Sequence, residues 1–326
     1  MRAAVEKAHR RISPHIRQTE CRPSAALSLR TGADVFLKLE NTQQSGSFKL
    51  RGVINKILTL SEEDSERLLV AASTGNHAAA FAHALHLFGL SGKLFMPKTA
   101  AAVKVDKIRD AGIPFELVGK DCLEAEMAAA EFARDNGSVW ISPYNDPEVV
   151  HGQGTVAVEL MEQLQTVDTV LVPVGGGGLI SGIAGYLKAV DPSIEVIGCQ
   201  PINSCVMHES IKAGEIVDIE SLPTLSDGTA GGIESGSITF DLCRRFVDDF
   251  ILLDEDEIAE AMRFLHEEEG LTVEGAAALP AAAVLKEQER FTGRRVALIV
   301  SGGGVDESTL AKVFAGGKGY VREETT

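Results

Sequence analysis

Residues 169–190 read TVLVPVGGGGLISGIAGYLKAV, and this stretch decides the fold. Thr169–Val172 is a short apolar run rich in β-branched residues, the pattern of a buried strand. Leu179–Val190 has the length and apolar spacing of a helix. Between them stand Pro173, Val174 and the glycines Gly175, Gly176, Gly177 and Gly178. The uncharged stretch Thr169–Leu187 is long enough to span a bilayer. Its proline and glycines would open a lipid-facing helix and leave backbone groups unpaired. The segment therefore reads as a strand, a loop and a helix.

A run of glycines forfeits chain entropy, so packing alone accounts for it poorly. Glycine lets backbone N–H groups approach a ligand closely, with a helix N-terminus behind them. That makes a phosphate site without basic side chains. No Walker lysine follows and the spacing is not G-x-G-x-x-G, which favours a single phosphate monoester over a nucleotide triphosphate or a dinucleotide. A flexible turn is the alternative at this point.

Outward from this segment the same alternation continues. Strands are predicted at Val35–Glu40, Leu68–Ala72, Lys93–Met96, Phe115–Val118, Val139–Ser142, Glu195–Cys199 and Val296–Val300. Helices are predicted at Asn76–Phe88, Ala101–Ala111, Cys122–Asp135 and Gly154–Leu164. Strand–helix alternation implies an α/β fold with parallel sheets and helices on both faces. In such sheets ligands sit at the carboxyl ends of strands. No Pro/Ser linker marks a boundary, so a second lobe would be inserted by paired crossovers.

The chain has 326 residues, 44% hydrophobic and 24% charged, which suits an ordinary globular core. Disorder is expected only at the tail Arg322–Thr326. The net charge of -16 repels phosphate backbones, so nucleic acid is not an expected partner. The 5 cysteines include no C-x-x-C pair, which implies a reducing compartment and five small buried side chains. Met1–Lys7 is polar and helix-like, without the apolar core of a signal peptide. A cytoplasmic protein with no membrane partner is the expectation.

Three further loops carry chemistry. Ser45-Gly46-Ser47-Phe48-Lys49-Leu50-Arg51-Gly52 places a lysine among small polar residues at a helix start. Desolvated there, it would be held as a free amine able to form a Schiff base. Taken alone, a solvated surface lysine fits as well. Ser73-Thr74-Gly75-Asn76-His77 puts hydroxyls and N–H groups at a helix N-terminus, suited to a carboxylate. Its plainer reading is N-capping by Thr74 or Asn76. Ser301-Gly302-Gly303-Gly304-Val305-Asp306 follows a strand, and Ser301 could offer its hydroxyl to a ring nitrogen.

Taken in order, the four loops resemble the fold-type II pyridoxal phosphate (PLP) enzymes, within them the serine/threonine dehydratase and serine racemase group. The resemblance runs from Ile12 to about Phe314. It includes Leu37-Lys38-Leu39-Glu40-Asn41, Pro143-Tyr144-Asn145-Asp146-Pro147, Gly152-Gln153-Gly154-Thr155 and Val273-Glu274-Gly275-Ala276. It implies two open parallel or mixed sheets with flanking helices, as in the tryptophan synthase β-like fold. A large PLP-binding domain would comprise 1–50 and 146–326, and a small domain 51–145. No C-terminal regulatory domain is expected, and hence no feedback control by isoleucine. A homodimer is implied.

By the same resemblance Lys49 carries pyridoxal 5'-phosphate and, once freed, takes the α-proton. Phe48 packs on the ring, Asn76 meets its hydroxyl, and Ser301 its nitrogen. Gly175 to Gly178 with the Leu179 backbone cradle the phosphate. Ser73, Thr74 and His77 receive the substrate carboxylate, and Thr74 is a second catalytic candidate. A neutral Ser301 leaves the ring a weaker electron sink, which favours prompt loss of a β-leaving group. The implied reaction converts L-threonine or L-serine to a 2-oxo acid and ammonia. Alternatives are a serine racemase, an ammonia-lyase for hydroxyaspartate or phenylserine, and a non-catalytic binding protein.

Three departures stand out. Racemases of the group usually carry serine at Thr74. Metal-dependent members have acidic residues where this chain has Gln200 to Val206, so no metal is expected. Gly304 stands where asparagine is common. The side-chain pocket is expected around Tyr144 and Thr224-Leu225-Ser226-Asp227-Gly228.

Overall fold

A computed structural model describes residues 1–315. The tail Arg322–Thr326 lies outside the described residues. The strands, in chain order, are β1 (Cys21–Pro23), β2 (Asp34–Leu39), β3 (Leu69–Ala72), β4 (Gly92–Met96), β5 (Phe115–Leu117), β6 (Val139–Trp140), β7 (Thr169–Pro173), β8 (Glu195–Pro201), β9 (Asp249–Leu253) and β10 (Arg295–Val300). They form a 6-stranded sheet in the order β1-β2-β10-β7-β8-β9 and a 4-stranded sheet in the order β5-β4-β3-β6. Only β1 runs antiparallel to its neighbour. The smaller sheet is built from chain lying between β2 and β7.

Alternate residues of the larger sheet feed two separate cores, as the twofold strand period requires. Leu171, Leu298 and Val300 face one core. Val170, Val172, Ala297 and Ile299 face the other. The smaller sheet divides in the same way, Leu69 and Leu94 to one side, Val70 and Phe95 to the other.

The segment 169–190 folds as read, with β7, the glycine loop and a helix over Gly178–Val190. The helix expected from Gly154 instead begins at Pro147. Asp146 caps it, accepting from the Glu148 and Val149 amides, and proline suits the first helical position. Glycines in these helices mark close crossings. A Cβ on Gly152 would lie 2.6 Å from the Arg51 carbonyl, and one on Gly182 would lie 2.3 Å from that of Val150. Three helices, Lys49–Ile57, Pro147–Leu164 and Gly178–Val190, thus pack backbone to backbone.

The strand expected at Val139–Ser142 stops at Trp140, because the Ser142 hydroxyl takes the Asn145 amide and starts a turn. The sequence reading missed β1, β9 and the helices Glu255–Glu269 and Gly275–Lys286. The last contains Pro280, which interrupts the hydrogen-bond ladder, yet Gly275 to Val284 are all buried, and packing overrides local propensity.

Behind Lys49 lies a closed cluster of buried charge. Arg51, Lys38, Glu40 and Glu159 are at most 1% exposed. Arg51 grips Glu40 through Nε at 2.7 Å and Nη2 at 2.8 Å, and Glu159 through Nη1 at 2.7 Å and Nη2 at 2.8 Å. Lys38 Nζ donates to Glu159 at 2.6 Å and to the Thr19 carbonyl at 2.6 Å. Two cations meet two carboxylates, so no charge is left over. The cluster ties the helix that starts at Lys49 to β2 and to the helix Pro147–Leu164.

All five cysteines are free thiols. Cys199, Cys205 and Cys243 are buried as expected, and Cys21 is half-buried. Cys122 departs from the expectation: it is exposed, because it opens a helix at the mouth of the central cavity. Among the described residues no helix is long and apolar enough to cross a membrane.

Candidate active site

The loops after β2, β3, β7 and β10 converge at the carboxyl ends of their strands. They enclose a cavity of about 440 Å³. Every site residue read from the sequence lines it: Phe48, Lys49, Ser73, Thr74, Asn76, His77, Gly175, Gly176, Gly177, Gly178, Leu179 and Ser301.

Lys49 is the first residue of its helix, with no side chain capping the turn. The loop before it is clamped to the loop after β10. Phe48 N donates to Ser301 O at 3.1 Å, Gly303 N to Gly46 O at 3.0 Å, and Ser47 pairs with Gly302 as an isolated antiparallel bridge. The Lys49 amine donates to the Pro143 carbonyl at 2.9 Å. It faces the cavity, and burial pushes its pKa down to about 8, against the pull of Glu126 and Glu274. A free amine is thus within reach near neutral pH.

The glycine loop supplies the complementary feature. Its third glycine adopts φ +84°, a left-handed turn that leads into the helix. Val174 N still bonds to Cys199 O, and Ser181 N bonds to Gly177 O. Between them, the amides of Gly175 to Leu179 donate to nothing among the described residues. Side chains are excluded behind the loop, since a Cβ on Gly176 would lie 2.5 Å from the Tyr144 ring. Unpartnered amides at a helix N-terminus, lining a cavity with a depressed lysine, fit a phosphate monoester that also bears a carbonyl.

Asn76 and Ser301 complete one wall. Asn76 Nδ2 donates to Glu274 Oε1 at 2.7 Å, leaving its second amide hydrogen free. Ser301 is 2% exposed. Glu274 is raised to about 7 by burial and by Asp227. The loop 73–77 does not follow the N-capping reading. Gly75 holds the N-cap position, no side chain caps the helix Asn76–Phe88, and Ser73 Oγ takes the Gly75 amide at 3.0 Å. The first amides of that helix therefore stay available to an anion. His77 Nε2 lies 2.9 Å from the Ile141 carbonyl, so that nitrogen carries the proton. Burial and Lys49 push His77 down to about 3, and it offers no positive charge to a carboxylate.

Of the expected side-chain pocket, Tyr144, Asp227 and Gly228 line the cavity, while Thr224, Leu225 and Ser226 do not. Among the lining residues given no role from the sequence are two buried carboxyls, Glu274 and Glu126. Glu126 follows Ala125 on the helix Cys122–Asp135, whose buried stripe is Ala125, Ala129 and Ala133. A lone acid beside such a stripe carries no distinguishing signal. Near Gln200 to Val206, Gln200 satisfies itself, donating to Val174 O at 3.1 Å and accepting from His208 N at 2.9 Å. Ligand atoms of Cys205, His208 and Glu209 lie within 4.8 Å of one another just beyond it.

The comparisons agree with this chemistry. The family described as "Pyridoxal-phosphate dependent enzyme" matches residues 12–302. An L-threonine ammonia-lyase of Thermotoga maritima is 41% identical over 98% of this chain and 78% of its own. The L-threonine dehydratase catabolic TdcB of Escherichia coli (strain K12) is 38% identical over 95% of this chain and 94% of its own. The solved structure of maize serine racemase superposes with a TM-score of 0.89 at 33% identity, covering 96% of each chain. With a lysine and an unpartnered amide loop in one cavity, and these matches over nearly its whole length, the chain belongs to the pyridoxal-phosphate dependent enzyme family and is a PLP-dependent lyase.

Proposed function

We propose that the chain is an ammonia-lyase for L-threonine or L-serine, releasing a 2-oxo acid and ammonia. One observation carries the reading: a Lys49 amine depressed to about 8 shares a cavity with the free amides of Gly175 to Leu179. When bound, pyridoxal phosphate supplies an electron sink for the bond broken at the α-carbon. Gly175 to Gly178 and the Leu179 amide would hold its phosphate, Asn76 its ring hydroxyl, Phe48 a ring face and Ser301 its pyridine nitrogen. Ser73, Thr74 and the amides that open the helix Asn76–Phe88 would take the substrate carboxylate. His77, neutral, shapes that corner rather than charging it. Lys49 accepts the α-proton, and burial lowers its pKa to about 8, which brings the free amine within reach near neutral pH. Water leaves across Cα–Cβ and returns on hydrolysis, so the net products are 2-oxo acid and ammonia.

The likeness to maize serine racemase favours a second reading, return of the proton on the opposite face. Thr74 is the candidate acid, and its β-branch restricts how the hydroxyl turns. Ser301, neutral, does not keep the pyridine nitrogen protonated, which shortens the life of the species to be reprotonated. Elimination is therefore expected to win. Chiral chromatography with a 2-oxo acid assay decides it: D-serine accumulating faster than pyruvate would replace the lyase with a racemase.

We further infer a large lobe of 1–50 and 146–326 and a small lobe of 51–145, acting as a cytoplasmic homodimer without nucleic-acid or membrane partners. The confinement of the 4-stranded sheet to chain between β2 and β7, and the net charge of -16, support this.

A further inference from the structure

Four glycines in a row can cradle an anion, but they do not aim the cradle. Glycine turns its peptide planes at little steric cost, so the amides of Gly175 to Gly178 need something outside the loop to fix their direction. A trans peptide is planar, and its N–H points opposite to its C=O. No cis peptide occurs among the described residues. The partner of each carbonyl therefore reveals where the next amide points.

The far end of the loop is aimed by its own helix. Gly177 O accepts from Ser181 N at 3.0 Å, so that carbonyl runs along the helix and the Gly178 amide leaves its N-terminus. Two earlier peptides are held by side chains instead. Val174 O accepts from Gln200 Nε2 at 3.1 Å. The Gln200 oxygen accepts from His208 N at 2.9 Å, which fixes the orientation of the side-chain amide. Gly176 O accepts from Thr239 Oγ1 at 2.6 Å, from the start of the helix Ile238–Phe246. A carbonyl cannot donate, so this bond takes the Thr239 hydrogen, and the Ser237 hydroxyl at 2.7 Å donates to Thr239 in turn.

Gln200, Ser237 and Thr239 are at most 3% exposed, and none of them lines the cavity. They draw the two carbonyls to the back of the loop, so the amides of Gly175 and Gly177 face the opposite way. The backing is also tightly packed, since a Cβ on Gly177 would lie 2.7 Å from Met207 Cε and 3.1 Å from Thr239 Cβ. A carboxylate at position 200 would lack the donor that Val174 O requires.

We propose that Gln200 and Thr239 are positioning residues for the phosphate cradle. Each holds a carbonyl behind the glycine loop and thereby turns the next amide, Gly175 or Gly177, onto the cofactor phosphate. The inference rests on the placement of that phosphate proposed above.

The test compares two ligands that differ only in the phosphate, pyridoxal 5'-phosphate and pyridoxal. Cofactor is removed from the holoenzyme, and each ligand is titrated back by its visible absorption. The wild type prefers the phosphorylated ligand by about a hundredfold or more. Thr239→Val and Gln200→Met keep the volume and lose the donor. Each should cut that preference about tenfold while pyridoxal binds as before. Thr239→Ser keeps the hydroxyl and should hold the preference within about threefold of wild type. Circular dichroism of the cofactor-free variants checks their folding, and the two positions lie on separate elements, so either one tests the inference. A wild-type preference in folded Thr239→Val or Gln200→Met overturns it. An equal loss of affinity for both ligands also overturns it, because that marks a role in the fold alone. Equal affinity of the wild type for the two ligands overturns the phosphate placement itself. Turnover is not read, so the outcome does not depend on which amino acid is the substrate.

Discussion

Two groups of buried charge lie at either end of one helical turn, and they behave in opposite ways. Around Arg51 each charge is met, although burial still lowers the pKa of Lys38. Burial alone would lower the pKa of Arg51, but Glu40 and Glu159 hold it above its ordinary value. Burial would likewise raise Glu159, yet Arg51 and Lys38 keep it low. Around Lys49 the same residue types go unmet, and each moves toward its neutral form. Lys49 falls to about 8, Glu126 rises to about 8 and Glu274 to about 7. Closure gives a fixed anchor. Incompleteness gives groups that can gain or lose a proton near neutral pH, as catalysis requires.

The sharpest way to separate the two is to remove one lysine from the open group. Lys49→Ala is expected to abolish the visible absorption band of the bound cofactor and to cut turnover by about 10³-fold or more. In the cofactor-free protein its unfolding free energy should stay within about 1 kcal/mol of wild type, since no ion pair is broken. A retained band, with the cofactor mapped to another lysine after borohydride reduction, would refute the assignment. Arg51→Ala attacks the closed group and should do the reverse. It strands Glu40 and Glu159 and is expected to cost about 3–5 kcal/mol in chemical denaturation. Arg51→Lys keeps the charge without the planar fork and should lose less.

A smaller effect comes from pH. Glu274 has a folded-state pKa raised from 4.5 to about 7, chiefly by burial. The folded form then holds a proton the unfolded chain has released, so its contribution is present in full below 4.5 and is lost as pH rises through 7. Unfolding of the cofactor-free protein should show stability falling from about pH 5 to pH 8 by this group, and Glu274→Gln should flatten the slope. A slope unchanged by the substitution would show that Glu274 is already ionised when folded. The smallest expected effect is none. Gln200 is neutral and closes its own hydrogen bonds, so chelation of divalent cations should leave activity intact. A loss restored by magnesium or calcium would contradict this.

Much of the open group was legible in the sequence because its parts are punctuated. Glycine runs and small polar residues after apolar strands mark each loop of the cavity. The closed group was not legible as such. Lys38, Glu40, Arg51 and Glu159 are ordinary charged residues spread along 121 positions between the Lys38 and Glu159 partners, and only tertiary packing brings them together. Glu126 was hidden for the same reason. The strand β9, Asp249–Leu253, went unread because it is brief, and the helix Gly275–Lys286 is interrupted by Pro280, which breaks the helical pattern in sequence. The helix from Pro147 was read only from Gly154, and the glycines at 152 and 154 mark close approach of helices rather than a helix end.

The position of β10 has a consequence for how this protein is made. It lies between β2 and β7 in the larger sheet, although it is the last strand of the described chain. A ribosome delivers β2 early and β7 midway, and the two cannot pair with each other in the native register. They must wait with a gap between them until residues 295–300 emerge. The loop carrying Lys49 waits too, because Phe48 and Ser47 are fastened to Ser301 and Gly302. The smaller sheet needs no such closure and can form while synthesis continues. Cofactor capture thus waits for residues 295–303 to emerge, and a chain truncated before them lacks the strand that would assemble the site.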